Sequence, residues 1–213
     1  MKRTSLSLTA TIIGIMAMTA CKRNANETSG RNTDTINYSL NAGSVIEWKG
    51  IMRQGYNSGS FDIDNSNIET KNGIVTSGTI TIPISSIKNY NLPDSALKEQ
   101  LLHHLKSADF FNLAVYPTAT FRIRQVQPYT GGDSINPTAK ANCLVDGSFT
   151  MLGKTNPVTF PAYIHFSGEQ MEIAAFFTID RTKWGMTYAS DSSAGLFIYK
   201  DVALRMAVNA RRK

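Results

Sequence analysis

Residues 141–151, ANCLVDGSFTM, show the clearest alternation of apolar and polar side chains in the chain. The odd positions hold apolar residues or glycine, and the even positions are polar except for Leu144. Successive side chains of a β-strand point to opposite faces, so an alternation of period two is typical of a strand with one buried face. The stretch therefore predicts a half-buried strand whose odd-numbered side chains face a core.

The same alternation recurs in seven other segments from residue 44 onward. Their apolar rows are Ile46–Trp48, Phe61–Ile63, Ile80–Ile84, Phe121–Ile123, Val158–Phe166, Met171–Ile179 and Val202–Val208. The connector SGEQ at residues 167–170 is short and contains glycine, as a hairpin between neighbouring antiparallel strands requires. Eight such strands are enough to close a sheet into a barrel with room for one small ligand.

One helical segment interrupts the strand pattern. In SALKEQLLHHLK, residues 95–106, leucines recur at helical spacing, and Asp94 or Ser95 is available as the N-cap. The segment lies between the third and fourth predicted strands, where a helix can cover one end of a barrel. We therefore predict an all-β fold: an eight-stranded antiparallel barrel with a short helical segment between its third and fourth strands.

Two other arrangements share the alternating pattern. A β-sandwich with a packed core is compatible with it, because the pattern does not show whether the interior is open or filled. A transmembrane barrel would turn its apolar face toward lipid and would carry aromatic girdles at both interfaces. The basic C-terminus, Arg211 to Lys213, and the separate membrane anchor indicated at the N-terminus favour a barrel with an apolar interior over a transmembrane one.

The N-terminus has the layout of an exported protein. Met1–Arg3 is a positive n-region, residues 6–18 (LSLTATIIGIMAM) are apolar and uncharged, and small residues precede Cys21. The sequence MTAC at residues 18–21 resembles the bacterial lipobox, in which the cysteine is acylated after cleavage. We therefore predict a lipoprotein signal peptide at residues 1–20 and lipid attachment at Cys21. An ordinary signal peptide followed by an incidental cysteine is the alternative.

Residues 22–43 are rich in Asn, Thr, Ser and charge, and they show no apolar period. Because such a composition is typical of a flexible tether, we predict a lipidated Cys21 and tether over 21–43 and one barrel domain over 44–213. Acyl chains on Cys21 would anchor the protein to a membrane without a transmembrane helix. The predicted location is the bacterial cell envelope, with the exported protein facing the periplasm or the exterior.

The composition and the polar motifs argue against several classes of function. The net charge is +6 in 213 residues, and the Lys and Arg residues are scattered over strand faces instead of forming one basic patch. Nucleic acid is therefore not a predicted partner. Adjacent His103 and His104 point about 100° apart on a helix, and His165 lies on a distant strand, so no metal site is predicted. The serine pairs lack a nucleophile elbow and a nearby base. We predict neither catalysis nor a cofactor, and we interpret Cys143 as a buried strand residue.

Six blocks of sequence, in order along residues 44–210, carry a family resemblance. They are VIEWKG (45–50), ISSI (84–87), LLHHLKSADFF (101–111), YPTATF (116–121), GSFTMLGKTNPV (147–158) and IDRTKWG (179–185). Together they resemble the YceI-like family of secreted bacterial polyisoprenoid-binding proteins. Many relatives carry a histidine shortly before the second strand, where this chain reads GYNSG (55–59), so the head-group preference is not carried over.

The resemblance implies a lipocalin-like, eight-stranded barrel around a long apolar pore that holds a polyisoprenoid, such as a prenyl-quinone or a prenyl diphosphate. It implies binding, storage or transport of that lipid in the cell envelope, without catalysis. A linear isoprenoid has almost no hydrogen-bonding groups, so its site needs apolar area above all. The alternative function is an envelope adaptor or assembly lipoprotein, with a packed barrel that binds a protein partner. The sequence leaves a homodimer open.

The predicted pore lining comes from the apolar rows and from the aromatic residues that follow the helix. It comprises Trp48, Phe61, Ile82, Phe110, Phe111, Phe121, Phe149, Phe160, Ile164 and Phe177. Core packing explains each of these residues about as well as ligand contact does. Arg181, next to Asp180 at the end of the seventh strand, is a candidate head-group contact, and a structural salt bridge or turn clamp is the alternative for that pair.

Overall fold

The computed structural model describes residues 35–136 and 139–213. Its strands are β1 (Thr35–Leu40), β2 (Val45–Met52), β3 (Gly55–Asp62), β4 (Asp64–Lys71), β5 (Ile74–Pro83), β6 (Lys88–Asn89), β7 (Thr118–Pro128), β8 (Ser134–Asn136), β9 (Ala139–Lys140), β10 (Cys143–Met151), β11 (Lys154–Ser167), β12 (Gln170–Asp180) and β13 (Ile198–Arg212). Helix α1 covers Ser95–Lys106, and two 3-10 turns cover Ile84–Ser86 and Arg181–Trp184.

Eight strand positions close into an antiparallel barrel. Around the barrel the strands follow the order β1-β4-β5-β7-β10-β11-β12-β13, and β13 pairs back onto β1 through Ala210 and Leu40. The N-terminal part of β13 pairs with β2 and its C-terminal end pairs with β1, so β1 and β2 share one position in the barrel. Strands β3 and β4 share the next position in the same way. The predicted all-β, eight-stranded antiparallel barrel is confirmed.

Strand β10 shows why the alternating sequence produces this barrel. Its odd-numbered side chains are buried and its even-numbered side chains are partly exposed, as predicted for residues 141–151. Gly147 lies on the buried row, where a Cβ atom would be 2.6 Å from the carbonyl oxygen of Arg122 on β7. Because that separation is shorter than van der Waals contact, only glycine allows the two strands to approach at the register shift between Asp146 and Gly147.

The domain begins earlier than the predicted boundary at residue 44. Residues 35–40, which were predicted to belong to the tether, form β1, and its Tyr38 is only 2% exposed. The short stretch is ordered because β4 and β13 pair with it on both sides, which its own polar composition does not reveal. The predicted signal peptide at residues 1–20 and the lipid attachment at Cys21 lie outside the described residues.

Helix α1 begins at the predicted residue and lies between the third and fourth predicted strands, which are β5 and β7. Asp94 is its N-cap, and the carboxylate accepts a hydrogen bond from the backbone nitrogen of Leu97 at 2.8 Å. Leu105 on the inner side of the helix is buried, whereas Leu97 is exposed. Within the part of the chain that the structure describes, no helix is both long and apolar enough to cross a membrane.

Candidate functional site

The half of the barrel built from β2 and β3 encloses a cavity of about 160 Å³. Nine of the ten predicted pore residues line it: Trp48, Phe61, Ile82, Phe110, Phe111, Phe121, Phe149, Phe160 and Phe177. Leu101 and Leu105 of α1 also line the cavity, so the helix covers this end of the barrel as predicted. The prediction of an apolar interior is confirmed in this half of the barrel.

Ile164 does not line the cavity, although it was predicted to. It is 5% exposed and pairs across the sheet with Ile173, in the half of the barrel closed by β1. There the interior is filled by large side chains, among them Tyr38, which packs against Phe166 with ring centroids 5.9 Å apart. The barrel interior is therefore open toward β2 and β3 and packed toward β1 and β4.

Aromatic rings form much of the cavity wall and hold one another in place. Phe160 stacks on Phe177 with ring centroids 4.1 Å apart and an interplanar angle of 6°, and it also contacts Phe121 at 5.4 Å. Phe149 meets the buried Trp184 in an edge-on contact, and the indole Nε1 of Trp184 donates a hydrogen bond to the Phe149 carbonyl oxygen at 3.0 Å. Such interlocked rings give the wall a defined shape.

Arg181 is the one charged residue among the described residues that line the cavity, and it is 2% exposed. The guanidinium donates hydrogen bonds to four backbone carbonyl oxygens, those of Met186, Tyr188, Ile198 and Tyr199. Burial lowers the pKa of this guanidinium, and the nearby Asp180 charge opposes the shift. The side chain thus clamps residues 186–199 against the barrel end.

Asp180 does not accept a hydrogen bond from Arg181. Its carboxylate accepts hydrogen bonds from the backbone nitrogen and the hydroxyl of Thr182, at 3.0 and 2.6 Å, and forms an ion pair with Lys200 at 3.2 Å. The hydrogen bonds from Thr182, with a smaller contribution from Lys200, hold the pKa of the carboxyl below its usual range. The two structural interpretations of Asp180 and Arg181 were a salt bridge and a turn clamp. The geometry agrees with the turn clamp, because each residue binds its own set of partners.

Asp180→Ala is expected to lower the free energy of unfolding by about 1 kcal/mol at neutral pH, because the carboxylate caps the 3-10 turn. Folding lowers the pKa of Asp180. The carboxylate therefore contributes its full stabilisation of the folded protein above the usual carboxyl pKa of about 4, and this contribution is lost as the pH falls further. Urea unfolding of both proteins between pH 7 and pH 2.5 measures the difference. A gap that stays constant over this range would contradict the assignment.

An open groove runs between α1 and the β2–β3 hairpin and joins the cavity. It is lined by Met52, Asn57, Leu92, Leu97, Gln100, Leu101, His103, His104 and Ser107. Met52, Asn57 and Leu101 line both the groove and the cavity, so the groove is the mouth of the cavity. Its polar side chains contrast with the apolar wall inside the barrel.

The three histidines do not form a metal site. His104 shares a hydrogen bond with the Asp109 carboxylate at 3.0 Å and packs edge-on against Phe110 and Tyr188. His165 lies on β11 and stacks on Tyr163, apart from the groove. Within residues 35–136 and 139–213, no group of three or more His, Cys, Asp or Glu side chains is placed to hold a metal ion.

Several lining residues were missed by reasoning from the sequence. Gly50 and Met52 are the next two inward-facing positions of β2 after Trp48, so continuing the alternation beyond Trp48 would have identified them. Met186 and Ile198 also line the cavity, but they belong to the segment after the second 3-10 turn or to the start of β13. No periodic signal marks them, because the clamp by Arg181 places them.

A family model described as a YceI-like domain matches residues 33–210. This chain belongs to the YceI-like family. The match begins just before β1 and therefore agrees with the corrected start of the domain. No curated protein matches the chain significantly by sequence.

Solved structures share the YceI-like fold of this chain. BcnA of Burkholderia cenocepacia has 19% sequence identity and a TM-score of 0.64, over 80% of this chain and 99% of BcnA. A polyisoprenoid-binding domain from Saccharophagus degradans has 14% identity and a TM-score of 0.59, over 83% of this chain and 98% of that domain. The YceI protein of Campylobacter jejuni has 16% identity and a TM-score of 0.50, over 100% and 99% of the two chains.

Proposed function

We propose that this YceI-like protein binds a polyisoprenoid or a similar amphiphilic lipid in the barrel cavity and stores or transports it in the cell envelope. The observation that carries the proposal is the enclosed cavity with its apolar wall. The structural likeness to a domain described as polyisoprenoid-binding supports a lipid as the ligand. Prenyl-quinones and prenyl diphosphates are the candidate ligands.

The energetics of the cavity favour an apolar ligand. Each buried CH₂ group contributes about 0.8 kcal/mol of transfer free energy. A cavity of about 160 Å³ is close in volume to one that holds a benzene-sized molecule, so an isoprenoid that places about six carbons in it gains about 5 kcal/mol before the costs of ordering and association are subtracted. A small polar molecule would find few hydrogen-bonding partners there. Among the described lining residues, Asn57 has the one amide side chain and Arg181 has the one charged side chain.

The groove between α1 and the β2–β3 hairpin supplies the route by which the lipid enters. Met52, Asn57 and Leu101 connect it to the cavity, and Leu97 on its rim is 54% exposed. Polar side chains such as Gln100 and His103 surround the opening. The apolar end of the lipid can therefore enter the cavity first, while the polar groups of the lipid remain in contact with water.

The chemistry of the wall supports binding as the function. The described lining residues carry no carboxylate, imidazole, hydroxyl or thiol group. A hydrolase or transferase needs a nucleophile or a general base within hydrogen-bonding distance of its substrate. The apolar wall therefore supports the proposal that the barrel holds a lipid chain.

Solvent extraction of the full-length protein purified from membranes, followed by mass spectrometry, tests the proposed function. We expect about one prenyl lipid per protein chain, or stoichiometric uptake of an added isoprenoid such as geranylgeraniol by the delipidated protein. A protein that contains no lipid and takes up no isoprenoid would contradict the proposal. That result would favour the alternative of an envelope adaptor that binds a protein partner.

We also propose that acyl chains on Cys21 anchor the protein to a membrane of the bacterial envelope. Metabolic labelling with palmitate is expected to label the wild-type protein, because the lipobox-like MTAC at residues 18–21 directs acylation of the cysteine. Cys21→Ser is expected to abolish the label and to release the protein from the membrane fraction. Equal labelling of wild type and variant would contradict the anchor.

A further inference from the structure

Exposed apolar and basic side chains lie together on the outer wall of the barrel, beside the mouth of the cavity. The even-numbered side chains of β2 line the cavity, so Lys49 and Ile51 face outward, and both are exposed. Tyr56 lies opposite Ile51 on β3 and is also exposed. The Nζ atom of Lys49 lies 4.2 Å from the centroid of the Tyr56 ring, so the three side chains form one surface.

The residues at the start of β13 extend this surface. The backbone nitrogen of Arg53 donates a hydrogen bond to the Phe197 carbonyl oxygen at 3.1 Å, and its guanidinium carbon lies 5.8 Å from the centroid of the Phe197 ring. The Phe197 ring packs edge-on against the exposed Tyr199, with ring centroids 4.9 Å apart. We call these six side chains the rim patch: Lys49, Ile51, Arg53, Tyr56, Phe197 and Tyr199.

The rim patch borders the opening of the cavity. Met52 and Asn57, which line both the groove and the cavity, are direct neighbours of patch residues in the β2–β3 hairpin. Ile198, between the two aromatic residues of the patch, also lines the cavity. On the other side of the groove, α1 presents the exposed Leu97. Apolar side chains therefore flank the mouth on both sides.

The charge of the hairpin is positive. Residues 48–61 contain Lys49 and Arg53 and no Asp or Glu, and neither cation forms an ion pair with a carboxylate of the described residues. The adjoining residues 182–203 add no net charge, because they contain two lysines and two aspartates: Lys183, Lys200, Asp191 and Asp201. The two cations beside the mouth are therefore available to an anionic partner.

We propose that the rim patch docks the mouth of the barrel onto a membrane surface that contains anionic phospholipids. Tyrosine and aliphatic side chains enter the interfacial layer of a bilayer, and lysine and arginine attract anionic head groups. The rim patch combines both kinds of side chain. Docking would shorten the path through water for an apolar molecule that moves between a bilayer and the mouth. Docking concerns the outer wall, so vesicle binding tests it separately from occupancy of the cavity.

Sedimentation of sucrose-loaded vesicles measures the docking. All proteins carry Cys21→Ser, so no acyl chain at residue 21 contributes, and any effect of the remaining N-terminal residues is common to all. Lys49→Gln combined with Arg53→Gln is expected to weaken binding to phosphatidylcholine vesicles with about 30% phosphatidylglycerol about twentyfold, because each basic residue near an anionic surface contributes about 1 kcal/mol.

The matched control is Lys71→Gln combined with Arg212→Gln. Both residues are exposed and pair with β1 at the packed end of the barrel, and the double variant has the same net charge as the rim variant. Its binding is expected to stay within about threefold of the Cys21→Ser protein, because salt screens charges that lie far from the bilayer. Equal weakening by the two double variants would overturn the proposed docking surface.

Ile51→Ser combined with Tyr56→Ser removes the apolar contribution. It is expected to weaken binding about tenfold on both anionic and pure phosphatidylcholine vesicles, whereas the charge variant is expected to bind pure phosphatidylcholine as the Cys21→Ser protein does. Circular dichroism checks that each variant is folded. Unchanged binding in both rim variants would overturn the proposal and would favour a protein partner for the patch.

A second measurement needs no substitution in the rim patch. Raising the salt concentration from about 0.1 M to about 0.5 M is expected to weaken binding of the Cys21→Ser protein to anionic vesicles severalfold, because salt screens the attraction of exposed charges. Binding that is insensitive to salt, or no binding to anionic vesicles at all, would overturn the proposal. Either result leaves lipid binding in the cavity untouched.

Discussion

Replacing Gly50 with Leu is expected to weaken binding of a long isoprenoid about a hundredfold while the barrel stays folded. Gly50 lines the cavity between Trp48 and Met52 on β2, and a Cβ atom built on it meets no atom within 4 Å. A leucine side chain there would occupy the space of about four ligand CH₂ groups. At about 0.8 kcal/mol for each group, the ligand loses about 3 kcal/mol, which corresponds to a hundredfold in Kd.

The same substitution separates a functional loss from a folding defect. Glycine in a strand interior is unfavourable, and the added side chain buries apolar area in an existing cavity, so the free energy of unfolding is expected to rise by about 1 kcal/mol. Lys49→Leu is the matched control, because Lys49 is the neighbouring residue on the exposed face of β2. Wild-type affinity in a folded Gly50→Leu protein would show that the ligand binds elsewhere.

Arg181→Met is expected to lower the free energy of unfolding by about 3 kcal/mol, the largest stability change among these variants. The substitution leaves four carbonyl oxygens without their donor, in a segment that the guanidinium holds against the barrel end. Methionine keeps much of the side-chain volume, so the loss reports mainly on the hydrogen bonds. Because residues 186 and 198 line the cavity, lipid affinity is expected to fall as well.

Urea unfolding and thermal melting measure the effect of the Arg181 substitution, and Lys200→Met is its control. Lys200 is exposed and pairs with Asp180, so its removal is expected to change stability by less than about 1 kcal/mol. Arg181→Lys is expected to fall between the two, because an ammonium has three donors and lacks the planar fork. A loss below about 1 kcal/mol in Arg181→Met would mean that other contacts hold residues 186–199.

The strand pattern could be recognised in the sequence because each half-buried strand repeats the same alternation. In β10 and β12 the buried rows agree with the predicted ones, and the N-cap of α1 at Asp94 follows a local rule that needs no partner element. β1 was missed for the opposite reason. Its Tyr38 is buried by pairing with distant strands, while its sequence neighbours resemble a tether.

The alternation also does not show which buried residues face open space. Phe160 and Ile164 lie on the same inward row of β11, yet Phe160 lines the cavity and Ile164 is packed near Ile173. The difference arises because Tyr38 and Phe166 fill one half of the barrel, and those contacts join residues far apart in the chain. The alternation of odd and even positions assigns a side chain to one face of the strand. Whether that side chain then lines open space depends on which other side chains fill the barrel at the same height.

Sequence alone therefore determined the strand rows, the helix and most of the aromatic wall, since these depend on local periodicity. The alternation is shared by a sandwich, and the family resemblance was what implied a closed barrel. Tertiary structure decided that the barrel is open in one half only. It also decided that Arg181 clamps residues 186–199. These features depend on packing and hydrogen bonding between segments that are distant in the sequence, so the local pattern of apolar and polar residues does not predict them.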